Sequence, residues 1–263
     1  MRFASSAIAS RLSIWRIFFL NRCADFAQHA LSQQCLLCSA PAAAQSVCAD
    51  CYACLPWLPS MLCPQCALPT GNGNICGACL AHPPRYDRVT AAFAYAWPLT
   101  PLIHHYKYAG NLALAGLLGQ AIAKRLAVDA DLIIPMPLSP ARLRTRGFNQ
   151  AIEIARVVSR LTGVPLAVNA CRRVRDSAPQ AMLPWRERVK NIRGAFVCDA
   201  DLRGRRIAVL DDVMTTGATL NELARTLRKA GAAEIQGWIV ARTLKEDAAI
   251  VANQPLVAAS RYH

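Results

Sequence analysis

The chain has 263 residues, of which 54% are hydrophobic and 17% are charged, and its formal net charge at pH 7 is +14. This length is sufficient to bury a hydrophobic core and allows one or two domains. The apolar stretch at residues 12–20 is too short, and too interrupted by Arg16, to span a bilayer, which excludes a membrane-spanning segment there.

Cysteine placement divides the chain into two parts. Ten of the twelve cysteines precede residue 80, and the other two are Cys171 and Cys198. Residues 1–80 carry four basic and two acidic side chains, whereas residues 81–263 carry 26 basic and 14 acidic ones. The second part is therefore the basic one, which is typical of proteins that bind a polyanionic substrate and also of proteins that bind nucleic acid.

These shifts predict four segments along the chain. We predict a leader at residues 1–34, a cysteine module at 35–82, a larger domain at 85–242 and a tail at 243–263. The leader contains four arginines and one aspartate, a composition compatible with an amphipathic helix on a membrane surface. Such a helix would hold the protein at the inner face of the membrane, and a plain extension is the alternative interpretation.

The cysteine module contains a tandem repeat with the spacing C-x2-C-x9-C-x2-C, and the second copy follows 28 residues after the first. Two C-x2-C knuckles supply four thiolates, the ligand set of a closed tetrahedral zinc site. The predicted zinc ligands are Cys35, Cys38, Cys48, Cys51, Cys63, Cys66, Cys76 and Cys79. Spacing leaves the pairing open: each copy could bind its own ion, the knuckles could alternate between two ions, or a single site could persist.

A disulfide framework is the alternative interpretation of these cysteines, and it requires an oxidising compartment. The N-terminal residues lack the charged, apolar and small-residue order of a secretion signal. We therefore predict structural Zn²⁺ and a cytoplasmic protein.

The basic domain begins with alternating strand and helix signals. Apolar residues predict an edge strand at 89–95, helices near 99–107 and 112–126, and buried strands at 132–135 and 235–241. This alternation is typical of an α/β fold with a mostly parallel sheet. Lys107 is placed at the end of a helix, where it is either an exposed lysine or a ligand for an anion.

A basic loop follows the strand at 132–135. Arg142, Arg144 and Arg146 precede Gly147, and a helix is predicted from about Phe148 to Leu161. Because ligands bind at the carboxyl ends of parallel strands, we expect this loop to bind an anion.

The basic segment at 172–206 has two interpretations. It is either a mobile hood that closes over a substrate and excludes water, or a charged and solvated connection. Asn191, Gly194 and Phe196 indicate that part of it rejoins the sheet.

The most specific signal follows this segment. The apolar run Ile207–Leu210 predicts a buried parallel strand, with Asp211 and Asp212 at its carboxyl end. A threonine-rich turn then leads into a helix, where Thr219 and Glu222 have the spacing of a capping box. Unpaired N–H groups at a helix start bind anions, and paired carboxylates accept hydrogen bonds from vicinal hydroxyls. Together these features predict a site for a ribose phosphate.

The string VLDDVMTTGAT resembles the phosphoribosyl pyrophosphate loop of type I phosphoribosyltransferases. The resemblance implies a doubly wound, mostly parallel sheet in which Asp211 and Asp212 hold the ribose. It implies that the following turn holds the monophosphate, through Val213, Met214, Thr215, Thr216, Gly217, Ala218 and Thr219. It also implies that the departing pyrophosphate is bound by Mg²⁺ together with Arg142, Arg144, Arg146 and Lys107.

A wider set of residues is similar to the ComF family of competence-associated, phosphoribosyltransferase-like proteins. Besides the cysteine knuckles and the loop at 211–219, the set comprises Pro135, Pro137, Arg146–Gln150, Gln180, Leu183, Arg188, Asn191, Gly194 and Phe196. The similarity extends over residues 35–242, and the leader and tail match nothing in it. The family implies an association with DNA uptake, but it does not name an acceptor.

Two functional hypotheses follow. In the first, the basic domain binds phosphoribosyl pyrophosphate with Mg²⁺ and acts as a glycosyltransferase that passes the phosphoribosyl group to an unknown acceptor. In the second, the protein is a non-catalytic competence factor that binds single-stranded DNA or DNA-uptake proteins, and its phosphoribosyl site is regulatory or vestigial. The sequence does not determine the oligomeric state.

Overall fold

The computed structural model describes residues 34–42, 46–175 and 192–244. The chain forms two compact units, and the division in sequence falls between Cys54 and Leu55. The first unit contains the first four-cysteine repeat, and the second contains the second repeat and the α/β domain. Residues 1–33 of the predicted leader, residues 176–191 of the basic segment and the predicted tail after residue 244 lie outside the described residues.

The two cysteine repeats have the same local structure. In each repeat a five-residue helix follows the third cysteine, α1 at Ala49–Ala53 and α2 at Gly77–Ala81. The positive φ of Ser39, 60°, recurs 28 residues later as the φ of 55° at Ala67. The antiparallel bridge between residues 34 and 41 likewise recurs between residues 62 and 69. The sequence repeat is therefore also a structural repeat.

A four-stranded parallel sheet forms the centre of the second unit. The described strands of this unit are β1 (Arg88–Ala94), β2 (Leu132–Pro135), β3 (Cys171–Arg173), β4 (Phe196–Cys198), β5 (Arg206–Met214) and β6 (Glu234–Arg242). The order in the sheet is β1-β6-β5-β2, so that β1 is an edge strand, as predicted, and β5 is central. Ile207–Leu210 are completely buried, as expected for a strand inside a parallel sheet. The predicted α/β class with a parallel sheet is confirmed.

The strands at the two ends of the basic segment pair with each other. β3 and β4 form an antiparallel ribbon, with Cys171 opposite Cys198 and Arg173 opposite Phe196. The prediction that the chain near Phe196 rejoins the main sheet is wrong, because its backbone pairs with that of Arg173 instead.

Helices alternate with the strands along the chain. After α2 the described helices are α3 (Leu99–Tyr108), α4 (Leu114–Ala123), α5 (Pro140–Arg146), α6 (Gln150–Thr162) and α7 (Ala218–Lys229). The side chain of Asn149 accepts a hydrogen bond from the N–H of Ala151 at the start of α6, and Gly163, with φ of 74°, ends that helix. Within the described ranges, no helix has both the length and the apolarity needed to cross a membrane.

Candidate functional site

The acidic pair lies inside β5 and not after it. The strand continues to Met214, because Val213 and Met214 still pair with Ala241 and Arg242 of β6. The predicted strand end at Leu210 is therefore too early by four residues. Because successive residues of a strand point to opposite faces, Asp211 and Asp212 are directed into different surroundings.

Asp212 is paired with a lysine from α3. The Lys107 Nζ lies 2.9 Å from the Asp212 Oδ2, and the two side chains are only 17% and 11% exposed. The interpretation of Lys107 as an exposed helix lysine is therefore wrong, since the side chain turns inward to a carboxylate more than a hundred positions away in sequence. This ion pair neutralises one of the two acids.

Asp211 has a carboxyl group with a raised pKa. Burial of the carboxyl group is the largest cause, and the negative charge of Asp212 is the next, so that the pKa of Asp211 rises to about 7. Lys107 and Arg146 act in the opposite direction, as does the hydrogen bond that the Asp211 Oδ1 accepts from the Asp212 N–H at 2.9 Å. The group therefore changes its protonation state near neutral pH.

The turn after β5 leads directly into the start of α7. Gly217 has φ of 79° and precedes α7, whose first turn leaves backbone N–H groups without intrahelical acceptors. The Thr216 Oγ1 accepts the N–H of Ala218 at 3.3 Å, which closes the turn. The predicted capping box is wrong, because α7 begins at Ala218 and Thr219 lies within it.

Part of the predicted ligand set lines one small cavity. Its walls are formed by Asp211, Val213, Met214, Thr215, Gly217, Thr219, Leu220 and Ile239. Asp211 thus lines the same cavity as residues of the turn, and the cavity volume of about 30 Å³ is smaller than a phosphorylated sugar. Met214 is buried. Thr216 and Ala218 are not among the lining residues, but each is adjacent in sequence to residues that are.

The three predicted arginines belong to a short helix and not to a loop. α5 starts after Ser139, whose side chain accepts the N–H of Arg142, and it ends at Gly147. Arg146 is half-buried, donates to the Gln150 Oε1 at 3.0 Å and lies over the Tyr108 ring. Its charge acts on Asp211, so the structure brings Arg146 and Lys107 toward the acidic pair. Arg142 is half-buried, whereas Arg144 is exposed.

Arg242 is a residue of this region that the sequence interpretation missed. It is buried at the end of β6, and it donates hydrogen bonds to the carbonyl oxygens of Met214 and Thr215. Burial lowers the pKa of Arg242. The sequence did contain a signal for this residue, because Arg242 is the last residue of an apolar strand, and a charged side chain that is buried there requires hydrogen-bond partners.

The eight predicted zinc ligands form two clusters, one in each repeat. Cys35, Cys38, Cys48 and Cys51 form the first cluster, and Cys63, Cys66, Cys76 and Cys79 form the second, which answers the pairing question in favour of one site for each copy. In each cluster the sulfur atoms lie within 4.8 Å of one another. Cys38 and Cys48 have a sulfur separation of 3.7 Å, and Cys66 and Cys76 one of 3.6 Å. A zinc ion with bonds of ~2.3 Å to four sulfurs requires separations of about 3.8 Å, so each cluster fits one ion.

Backbone donors stabilise the thiolate form of the first cysteine in each cluster. Burial raises the pKa of Cys35, but hydrogen bonds from backbone N–H groups outweigh it and lower the pKa to about 6. The same balance lowers the pKa of Cys63 to about 7. Because the thiolate is the form that binds metal, these donors favour zinc over free thiols.

Two family models match the chain. A double zinc ribbon domain matches residues 26–80, and a phosphoribosyl transferase domain matches residues 144–250. The first match contains both cysteine clusters, and the second contains Asp211 to Thr219. Lys107 and Arg142 lie before the second match.

Two curated relatives cover most of this chain and of their own length. The chain is 36% identical over 192 residues to the DNA utilization protein YhgH of Escherichia coli strain K12, which corresponds to 70% of this chain and 85% of that protein. It is 38% identical over 178 residues to competence protein F of Haemophilus influenzae, which corresponds to 64% of this chain and 78% of that protein.

Solved structures give weaker likenesses. One is the allosteric regulatory enzyme of purine biosynthesis, with 24% identity and a TM-score of 0.33 over 48% of this chain and 25% of that chain. Another is a purine phosphoribosyltransferase from Pyrococcus horikoshii, with 21% identity and a TM-score of 0.32 over 49% of this chain and 84% of that chain. Likenesses of this size carry no conclusion about activity.

Proposed function

This chain belongs to the ComF family of competence-associated proteins, and from that premise we propose that its phosphoribosyltransferase domain binds phosphoribosyl pyrophosphate with Mg²⁺. The observation that carries the proposal is the shared cavity at the end of β5, where a carboxylate meets a helix-start turn. A turn of this kind binds phosphate through its N–H groups, and a carboxylate binds sugar hydroxyls. A phosphorylated sugar bound beside the cavity would contact both groups.

The two acids take different parts in this proposal. Asp211 faces the cavity and accepts hydrogen bonds from the ribose hydroxyls, whereas Asp212, held by Lys107, fixes the position of α3 against β5. Val213–Thr219 surround the 5-phosphate. Because a carboxylate accepts hydrogen bonds best when it is ionised, the ligand favours the deprotonated form of Asp211.

The pyrophosphate group would lie toward the basic side of the acidic pair. Arg146 and Lys107 are the cations whose charge already acts on Asp211, and Arg142 and Arg144 precede Arg146 on α5. Carboxylate oxygens and substrate phosphates are the ligands that Mg²⁺ prefers, so Asp211 suits it, and the ion would neutralise charge on the departing pyrophosphate.

Transfer of the phosphoribosyl group would break the bond between the anomeric carbon and the pyrophosphate oxygen. The electron pair leaves with pyrophosphate, and an acceptor nucleophile forms the new bond and releases its proton. The chain would contribute positioning of the sugar and stabilisation of the leaving charge. The acceptor is the part of the reaction that this proposal leaves unnamed.

Calorimetry on the full, zinc-loaded chain tests the proposed ligand. We expect the double variant Asp211→Asn with Asp212→Asn to lose phosphoribosyl pyrophosphate binding by about a hundredfold or more, because it removes the charged acceptor at Asp211 and the ion pair between Asp212 and Lys107. The matched control is Asp199→Asn with Asp201→Asn, which removes the same charge from two exposed ion pairs and should bind like wild type. Zinc content should be equal in all three proteins, and undiminished binding by the first variant would refute the assignment.

A second candidate function is binding of single-stranded DNA. It is favoured by the basic composition of residues 81–263 and by relatives named for DNA utilization and competence. Neutralised phosphates release counterions, so affinity for a labelled oligonucleotide should fall steeply as salt rises. Fluorescence anisotropy across a salt series measures this slope. A flat response would count against a DNA-binding role, and it would leave the sugar-phosphate site untouched.

A further inference from the structure

Arg242 connects the proposed phosphate loop to the second cysteine cluster. Its Nη1 donates to the carbonyls of Met214 at 3.1 Å and of Thr243 at 2.8 Å, and also to that of Thr215. Its Nε donates to the carbonyl of Cys66 at 2.8 Å. The side chain is buried, so one guanidinium is shared between the entrance of the loop and the backbone of a predicted zinc ligand.

The buried charge of Arg242 has an unusual source of compensation. Within the described residues, none of the carboxylate ion pairs includes Arg242. The guanidinium is bonded instead to carbonyl oxygens, one of which belongs to the predicted zinc ligand Cys66. Zinc binding deprotonates its cysteine ligands, and four thiolates leave the occupied site with a net negative charge. Metal in this cluster would therefore supply the charge that a buried arginine requires.

Tyr86 is a buried residue that packs against the same loop. A Cβ added to Gly217 would lie only 2.9 Å from the Tyr86 Oη and 2.7 Å from the Met214 Cε. The loop at Gly217 thus lies directly against a buried side chain.

We propose that zinc in the second cluster, and not in the first, positions the phosphate loop, and that Arg242 is the positioning residue that couples them. The ligand of this loop is the one named by the proposed function. The coupling therefore rests on the proposed function only in the measurements of ligand affinity. Without metal, the cluster loses its negative charge, the Arg242 guanidinium loses its compensation, and the carbonyls of Met214 and Thr215 lose a fixed donor. The loop then samples conformations in which its N–H groups no longer converge.

The tandem repeat offers a matched pair of variants. Cys38→Ser and Cys66→Ser change equivalent positions, 28 residues apart, in the first and second clusters. Each variant should bind one zinc fewer than wild type, as measured by metal analysis. Hydrogen exchange at the amides of residues 215–220 should accelerate by about tenfold or more in Cys66→Ser, because a fixed, charge-assisted donor is lost. The same amides should exchange at the wild-type rate in Cys38→Ser.

Substitutions of Arg242 separate the coupling from a general loss of folding. Arg242→Met keeps all eight cysteines and should retain both zinc ions, yet it should show the same faster exchange at residues 215–220. Arg242→Lys keeps the charge but cannot bond Cys66 and the loop at once, so its exchange should be intermediate. Affinity for phosphoribosyl pyrophosphate should follow the same order in calorimetry.

These measurements distinguish two kinds of failure. If wild type does not bind phosphoribosyl pyrophosphate, the proposed function fails, and the exchange rates still decide whether the coupling exists. Equal acceleration in Cys38→Ser and Cys66→Ser, or wild-type exchange in zinc-replete Arg242→Met, would overturn the coupling. Faster exchange limited to Cys66→Ser and to the Arg242 variants supports it.

Discussion

Two neighbouring aspartates have different chemical environments because they belong to a strand. Asp212 faces Lys107 and forms a largely buried ion pair, whereas Asp211 faces the cavity beside the turn. The sequence predicted both as sugar ligands, since adjacent acids before a small-residue turn resemble a loop. The lysine partner could not be predicted, because it lies on a helix distant in sequence and an isolated helix lysine is usually exposed.

The raised pKa of Asp211 predicts a pH dependence of stability. Between about pH 4 and pH 7 the folded protein keeps a proton on Asp211 that the unfolded chain releases, so stability falls as pH rises through this range, by at most about 1.4 kcal/mol per pH unit. Asp211→Asn removes this term. We therefore expect the free energy of unfolding of wild type, relative to that of the variant, to decrease between about pH 6 and pH 7 and to level off above the folded pKa.

Urea unfolding of both proteins at matched pH values measures this difference. The zinc ligands also titrate, but their contribution is common to the two proteins and cancels in the comparison. A difference that stays constant across the range would show that the Asp211 carboxyl group is not protonated in the folded state.

At the scale of elements, the connection from β5 to α7 determines the site. The buried run at 207–210 was predictable because a central parallel strand shows no polar alternation. The continuation of the strand to Met214 was not, because its partner is β6, far along the chain, and the acids looked like a turn. The arginines of α5 were also predicted to lie in a loop. Ser139 and Gly147 are nevertheless suitable residues for the start and the end of a helix.

Gly217 permits a close approach that no other residue allows. Its φ of 79° favours glycine, and an added Cβ would be 2.7 Å from the Met214 Cε. Gly163 has a similar φ of 74° with no atom within 4 Å of an added Cβ, so Gly163→Ala isolates the backbone cost. We expect Gly217→Ala to lower the free energy of unfolding by about 1–3 kcal/mol more than Gly163→Ala, because the loop must also be displaced.

Paired urea denaturation curves for these two glycine variants check the prediction. Equal losses of stability would indicate that Met214 and Tyr86 move aside without a loss of free energy, and that their contacts do not fix the position of the loop.

At the scale of the whole molecule, the chain combines a repeated metal module with a basic ligand-binding domain. The repeat and its eight candidate ligands were readable from cysteine spacing, but their pairing was not, because the same spacing allows the knuckles to alternate between two ions. What spacing could not indicate is that the second copy belongs to the same compact unit as the phosphoribosyltransferase domain. Contacts between residues distant in sequence join that copy to the domain, and the hydrogen bond from Arg242 to the Cys66 carbonyl is one of them.

The central claim is that the end of β5 holds a ribose that carries phosphate. The most direct measurement is the calorimetric titration of phosphoribosyl pyrophosphate and Mg²⁺ into the zinc-loaded chain and into its variant with Asp211 and Asp212 both changed to Asn. We expect saturable binding to wild type and binding weaker by about a hundredfold or more to the variant, at equal zinc content. Equal binding to both proteins, or to neither, would contradict it.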